Sequence, residues 1–84
     1  MTTPRKLTVY SREGCHLCQI MIAELKQLCS GAAVTIEVVD IDSDAVLAEK
    51  YGRLVPVLVA EDGETLCRYH LDEAILLDYL AGEK

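Results

Sequence analysis

Two cysteines separated by two residues are the most informative chemical feature of this sequence. Cys15 and Cys18 lie in the stretch "YSREGCHLCQIM", where β-forming residues precede the pair and a helical pattern follows it. Such a pair is a redox dithiol, half of a metal site, or two core thiols near a turn. Because persistent disulfides in the cytosol are usually catalytic or redox-sensing, redox or metal chemistry is the first hypothesis.

The elements around the pair are predicted to be a strand and a helix. "KLTVYS" alternates, with Leu7 and Val9 on one face, which is typical of a strand. From His16 to Ser30, apolar residues recur at helical spacing, and Cys18 belongs to the apolar stripe. Cys15 therefore falls at the helix N-terminus, where unpaired N–H groups and the helix dipole stabilise a thiolate.

This placement predicts a different role for each thiol. Cys15 is expected to be an exposed nucleophile and Cys18 a shielded resolving thiol, as two-step thiol–disulfide exchange requires. His16, when protonated, and Arg12, at any pH, would add positive charge near the Cys15 thiolate, and Glu13 opposes both. The alternatives are that His16 is an exposed turn residue without effect and that Arg12 is a solvated charge.

Several kinds of metal site compete with the redox hypothesis. Structural zinc needs four ligands, but Cys29 and Cys67 stand singly and His70 lies far along the chain. Haem attachment requires CxxCH, whereas Gln19 follows the pair here. An iron–sulfur cluster needs four thiolates, so the chain would have to dimerise or borrow ligands. We predict no metal site and expect both single cysteines to be core residues; a purely structural CxxC pair also stays open.

Composition limits the classes of function. The chain has 84 residues and a net charge of -6, which predicts a single domain over residues 1–84 and repels nucleic acid and anionic membranes. The apolar stretches are too short to span a membrane. The N-terminal "MTTPRKLTVY" has no apolar segment of secretory length, and we take Met1 to Arg5 as a frayed lead-in. A cytoplasmic location is therefore expected.

The rest of the sequence predicts two more helices and three more strands. Gly31 should stop the first helix, and "AVTIEVVDI" is rich in β-branched residues, as strands are. "DSDAVLAEKYG" predicts a short helix that is capped by Asp42 or Ser43 and stopped by Gly52. Asp62–Gly63 marks a hairpin in "VPVLVAEDGETLCRY". The last helix should run from about Asp72 to Ala81 before Gly82, with a core side that comprises Ile75, Leu76, Tyr79 and Leu80.

The predicted order is β-α-β-α-β-β-α, an α/β fold. The first two strands should be parallel, because a helix connects them, and the final hairpin adds an antiparallel half. Helices would then cover both faces of one four-stranded mixed sheet. Pro56 begins the strand "VPVLV", either after a cis Val55–Pro56 bond in a tight turn or as a trans edge proline.

Together these features make the chain resemble the glutaredoxin-like proteins of the thioredoxin superfamily. The resemblance covers nearly all of the chain and is carried by "YSREGCHLC", by "RLVPVLV" and by the element order. It implies a thioredoxin-like fold, with Cys15 as the nucleophile, Cys18 as the resolving cysteine and Pro56 as a cis-proline beside the disulfide. It also implies that the Val55 backbone pairs with bound glutathione or a substrate strand. The binding positions that it implies are Arg12, His16, Leu17, Arg53, Val55, Pro56 and Asp72.

The sequence departs from the family pattern at three places. The usual CPYC is CHLC, and Leu54 replaces the threonine that usually precedes Val-Pro. The Gly-Gly pair and Asp that receive the γ-glutamyl end of glutathione are replaced by "CRYHLDE", where Asp72 remains at the predicted helix start. Without the glycines, close approach of the backbone to glutathione is in question. The WCGPC motif of thioredoxins is absent as well.

The leading hypothesis is a small thiol–disulfide oxidoreductase that reduces protein or glutathione mixed disulfides. Glutathione or a reductase would donate electrons, with no resident cofactor, no nucleic-acid or membrane partner, and a monomeric chain. The alternative is a redox-inactive or accessory binding module of the same fold that docks a partner or an iron–sulfur cluster. A third hypothesis is a redox sensor in which Cys29 or Cys67 pairs with another thiol.

Overall fold

The computed structural model describes residues 5–31 and 33–81, and it confirms the predicted order of elements. The strands are β1 (Arg5–Ser11), β2 (Val34–Asp40), β3 (Val57–Ala60) and β4 (Thr65–Arg68). The helices are α1 (His16–Leu28), α2 (Ala45–Tyr51) and α3 (Glu73–Leu80), and a 3₁₀ turn covers Ile41–Ser43. No helix in these ranges is long and apolar enough to cross a membrane. Arg5 opens β1 rather than ending a lead-in; Met1–Pro4 and the proposed stop at Gly82 lie outside the described residues.

The four strands form one mixed sheet in the order β2-β1-β3-β4, as predicted. β1 and β2 are parallel, whereas β3 is antiparallel to both β1 and β4. Tyr10 is opposite Val57, and Val57 is opposite Arg68. The end of β1, the start of β3 and the end of β4 therefore meet at one end of the sheet. We call this the cysteine end, because β1 leads from it into Cys15.

Helices cover both faces of this sheet. Leu7 and Val9 are fully buried in a core that they share with residues of α1 and α3. On the opposite face, the ring of Tyr10 stacks on Tyr51 of α2, with 4.4 Å between the ring centroids. The α1 and α3 side chains that complete the main core are Met21, Leu25, Cys29, Leu76 and Tyr79. The two faces of β1 thus follow the alternation in its sequence.

Two predicted details of the helices are wrong. The N-cap of α2 is Asp44, whose carboxylate accepts the Val46 N–H at 2.8 Å, because Asp42 and Ser43 are taken up by the 3₁₀ turn before it. Ile75 of α3 is 40% exposed rather than on the core side, since the helix turns only Leu76 and Tyr79 fully inward.

The predicted turns are present. The Gly63 N–H donates to the Ala60 carbonyl at 2.9 Å and closes the hairpin between β3 and β4. Gly63 has φ +94, a left-handed conformation that favours glycine over residues with a Cβ. Gly31 follows α1 with φ +84 and fits the same pattern. Both positions agree with glycine as the signal for a turn or helix end.

Candidate redox site

A tight turn places Cys15 at the N-terminus of α1. Gly14, with φ +81, turns the chain after β1, and the Cys15 N–H donates to the Arg12 carbonyl at 3.1 Å. Cys15 itself has extended backbone angles and is the N-cap of α1. Its side chain thus occupies the position from which N-cap groups usually satisfy the free N–H donors of a helix.

Cys15 and Cys18 are joined by a disulfide bond, with 5.2 Å between their Cα atoms. The Cys18 N–H also points at the Cys15 sulfur, at 3.1 Å from Sγ. Cys15 is half-buried, whereas Cys18 is only 2% exposed and lies on the buried side of α1. The more exposed cysteine is therefore also the one whose sulfur receives a helix N–H, an arrangement that favours a thiolate there after reduction.

Val55 and Pro56 lie at the cysteine end, directly before β3. The peptide bond between them is cis, and Pro56 is buried. The Pro56 carbonyl accepts the Tyr69 N–H at 2.8 Å, which joins this segment to the end of β4. Among the hydrogen bonds of the described residues, none uses the N–H or the carbonyl of Val55. Both groups are thus available to pair with an extended segment.

Arg12 makes contacts that the sequence did not predict. Its Nε and Nη2 donate to the two carboxylate oxygens of Asp42, both at 3.0 Å, and its Nη1 donates to the Gly52 carbonyl at 3.3 Å. The hydrogen bonds to Asp42, and then the charge of its carboxylate, raise the pKa of Arg12 above its usual value. The guanidinium is therefore one half of a bidentate ion pair with Asp42. A contact between Arg12 and glutathione stays a prediction.

Tyr69 and Asp72 shape the opposite side of the cysteine end. Tyr69 has φ 67, a left-handed conformation that costs a non-glycine residue about 1–2 kcal/mol. The backbone here thus adopts a glycine-like conformation although the family glycines are absent. Asp72 caps α3 by accepting the N–H groups of Ala74 and Ile75 at 3.1 and 3.3 Å. Asp72 at the start of α3 confirms the predicted element boundary.

An open groove of about 560 Å³ lies between the end of β4 and the start of α3. Its walls mix apolar and charged groups, among them Arg68, His70, Leu71, Asp72 and Ile75. We call it the α3 groove. The groove lies beside Arg68, which is at the end of β4 and therefore at the cysteine end of the sheet.

The remaining predicted binding residues lie on segments that adjoin the cysteine end, and none makes a polar contact with the sulfurs within the described residues. His16 and Leu17 begin α1, with His16 exposed and Leu17 half-buried, and Arg53 is exposed between α2 and β3. In the described ranges, no hydrogen bond or ion pair joins His16 or Arg53 to either cysteine of the disulfide. Their roles stay predictions. Over the same ranges, no cluster of three or more His, Cys, Asp or Glu side chains could hold a metal ion.

Cys29 and Cys67 are buried free thiols, as predicted for core residues. Burial raises the pKa of the Cys29 thiol. Burial also raises the pKa of the Cys67 thiol; the Asp72 N–H, which donates to Cys67 Sγ at 3.4 Å, lowers it, and the Asp72 carboxylate raises it. Burial thus disfavours ionisation of both thiols, whereas Cys15 is only half-buried and lies at a helix N-terminus.

Sequence reasoning missed two residues of this site. The sequence predicts only that Asp42 or Ser43 caps a helix, because the pairing of Asp42 with Arg12 spans 30 residues of sequence and no local pattern signals it. Tyr69 gave no signal either, since tyrosine is not a residue type that indicates a left-handed conformation. The only sequence signal for Tyr69 is that the Gly-Gly pair of the family is absent from the segment "CRYHLDE" in which it lies.

Comparisons with known proteins agree with this geometry. The model of the Glutaredoxin-like domain (DUF836) family matches residues 6–81. Protein Ne2328 from Nitrosomonas europaea, solved by NMR, is 44% identical, with a TM-score of 0.83 and 94% of each chain covered. The X-ray structure of a structural genomics target from X. campestris is 37% identical, with a TM-score of 0.72 over 90% of this chain and 96% of that one.

Thioredoxins are similar at greater distance. A mutant thioredoxin from Halobacterium salinarum is 27% identical, with a TM-score of 0.67 over 96% of this chain and 75% of that one. No curated protein matches the chain significantly. The family match extends over nearly the whole chain, includes both cysteines, and coincides with the four-stranded mixed sheet described above. The chain therefore belongs to the glutaredoxin-like family and has the thioredoxin fold.

Proposed function

We propose that this protein is a thiol–disulfide oxidoreductase that uses Cys15 as its nucleophile and Cys18 as its resolving thiol. The observation that carries the proposal is the contrast within the disulfide: Cys15 reaches solvent at a helix N-terminus, and Cys18 is buried one turn further on. In the reduced protein, the Cys18 N–H would stabilise the Cys15 thiolate from 3.1 Å. The pair is thus poised for attack from outside and resolution from inside.

The reaction that we propose has two exchange steps. The Cys15 thiolate attacks one sulfur of a substrate disulfide, forms a mixed disulfide and releases the other sulfur as a thiolate. Cys18 then loses its proton, and its thiolate attacks the Cys15 sulfur. This step releases the second substrate thiol and forms the Cys15–Cys18 bond. The substrate has gained two electrons and, at neutral pH, two protons.

The substrate and the electron donor belong to this proposal as well. An extended segment next to the substrate disulfide would pair with the free N–H and carbonyl of Val55, beside Pro56. His16, Leu17, Arg53 and Asp72 surround the same end of the sheet and would contact the substrate or glutathione. Two glutathione thiols, or the dithiol of a reductase, would restore the reduced pair without a resident cofactor. The reducing cytoplasm, our predicted location, would maintain either donor.

The test is turnover of a protein disulfide with dithiothreitol as the reductant. Cys15→Ser should abolish turnover, because no nucleophile remains at the helix N-terminus. Cys18→Ser, reduced and then mixed with the protein disulfide after the dithiothreitol has been removed, should accumulate a mixed disulfide at Cys15, which intact-mass spectrometry detects. Cys29→Ala is the matched control, because it removes a thiol but leaves the site intact, and it should turn over like wild type. Wild-type activity in Cys15→Ser would refute the proposal and favour the binding-module alternative.

A further inference from the structure

The side chain of Arg12 is held by two partners at the cysteine end. Asp42 accepts from its Nε and Nη2 at 3.0 Å each, and the Gly52 carbonyl accepts from its Nη1 at 3.3 Å. Arg12 is also tied to the nucleophile, because its own carbonyl accepts the Cys15 N–H at 3.1 Å. One residue thus connects the turn before Cys15 with the segment that leads to Val55.

The Asp42 carboxylate neutralises the positive charge of Arg12. The bidentate pair places a full negative charge against the guanidinium, in the planar fork arrangement that arginine and carboxylates prefer. Both side chains still reach solvent, with 40% of Arg12 and 47% of Asp42 exposed. An anionic substrate near the disulfide would therefore meet a neutral pair rather than a free cation. The net charge of -6 over the whole chain adds to this disadvantage for anions.

We propose that Asp42 is a specificity-determining residue that disfavours disulfides carrying carboxylates, such as oxidised glutathione, by neutralising Arg12. The favoured substrates are disulfides without negative charge beside the sulfur, such as those in neutral or basic polypeptide segments. This inference rests on the proposed exchange at Cys15. It concerns which disulfide enters, not the chemistry of the two steps.

The experiment compares three small disulfides of different charge. Reduced protein is mixed with oxidised glutathione (anionic), bis(2-hydroxyethyl) disulfide (neutral) or cystamine (cationic), and formation of the Cys15–Cys18 bond is timed. The measured quantity is the rate constant for each charged disulfide divided by that for the neutral one. Asp42→Asn keeps the side-chain shape and frees the Arg12 charge, so the oxidised glutathione ratio should rise about two- to fivefold, as expected for one exposed ion pair. The cystamine ratio should fall.

Glu37→Gln is the matched control. It breaks the Lys6–Glu37 salt bridge, of length 2.9 Å and similar exposure, and changes the net charge by the same amount at a site away from the cysteines. Its ratios should stay at the wild-type values. Replacing Arg12 as well, in Asp42→Asn/Arg12→Gln, should abolish the gain for oxidised glutathione. A gain that survives this replacement, or an equal gain in Glu37→Gln, would overturn the inference.

Two further outcomes separate this inference from the proposed function. If the neutral disulfide never oxidises the Cys15–Cys18 pair, the proposed function itself fails. If it does, and Asp42→Asn leaves the charge ratios unchanged, only the role of Asp42 fails. A further measurement uses the wild-type protein alone. Its rate of oxidation by oxidised glutathione should rise with ionic strength, because salt screens the repulsion between the anionic disulfide and the negatively charged protein. A rate that falls with salt would mean that a free cation attracts the anion.

Discussion

Cys15 and Cys67 receive the same kind of hydrogen bond in two regions of this molecule. Cys15 Sγ accepts the Cys18 N–H at the start of α1, and Cys67 Sγ accepts the Asp72 N–H just before α3. Yet Cys15 reaches solvent and has a partner thiol, whereas Cys67 is 6% exposed and lies beside the Asp72 carboxylate. We therefore expect that a backbone N–H at the sulfur is insufficient for reactivity, and that solvent access and the sign of the neighbouring charge decide it.

The largest expected effect is a difference in alkylation rate between the two regions. In reduced protein at pH 7, iodoacetamide should modify Cys15 first, because a thiolate stabilised at an accessible site reacts fastest. Cys29 and Cys67 should react only when the protein opens, and so orders of magnitude more slowly. Peptide mapping by mass spectrometry at successive times measures all four cysteines together. Early modification of Cys67 would show that its N–H donor alone confers reactivity.

The next effect is the stability of serine variants in the core. Cys29→Ser should lower the free energy of unfolding by about 1–3 kcal/mol, because the hydroxyl is buried with no polar partner. Within the described residues, no hydrogen bond reaches Cys29 Sγ, whereas Cys67 Sγ has the Asp72 N–H. Cys67→Ser should therefore cost less than Cys29→Ser. Urea unfolding of the two variants measures the difference, and an equal cost would mean that the Asp72 N–H does not reach the serine oxygen.

This contrast shows what the sequence could reveal. Spacing alone placed Cys15 at the strand–helix junction and Cys18 on the buried side, since strand and helix periods are local properties. It also identified Cys29 and Cys67 as core residues from their positions on predicted elements. The element order also predicts the mixed four-stranded sheet, because a helical connection between two strands and a final hairpin are compatible with few topologies.

The contacts that tune the site could not be predicted in the same way. Asp42 meets Arg12 only after β1 and β2 pair along their length, which brings together residues 30 apart in the chain. Tyr69 has φ 67, against the preference of its own residue type, at the point where its N–H donates to the Pro56 carbonyl. The exposure of Ile75 likewise depends on how α3 packs. Pairings between distant segments, rather than local patterns, decide these details.

A smaller effect concerns Asp72, which connects the Cys67 region to α3. Asp72→Ala removes the side chain that caps the Ala74 and Ile75 N–H groups and should cost about 1 kcal/mol of stability. Asp72→Asn keeps an acceptor and should cost only a few tenths. Thermal unfolding of both variants measures this difference. An equal loss in both would indicate that the charge of Asp72, rather than its acceptor, stabilises the start of α3.

The smallest effect is on stability at alkaline pH. Burial raises the pKa of Cys29 and Cys67 from the ordinary value of 9.0, so the folded protein keeps thiols protonated that the unfolded chain loses. The stabilisation from these protons is complete below about pH 9 and is lost as the pH rises through the raised pKa values. In a Cys15→Ser/Cys18→Ser background, which prevents disulfide exchange, the free energy of unfolding should decline above that pH. Adding Cys29→Ala/Cys67→Ala should flatten the decline, while other titrating groups cancel in the comparison. If the free energy of unfolding declines with pH at the same slope with and without the buried thiols, their environment does not disfavour ionisation. The contrast between these thiols and Cys15 would then rest on access to solvent alone.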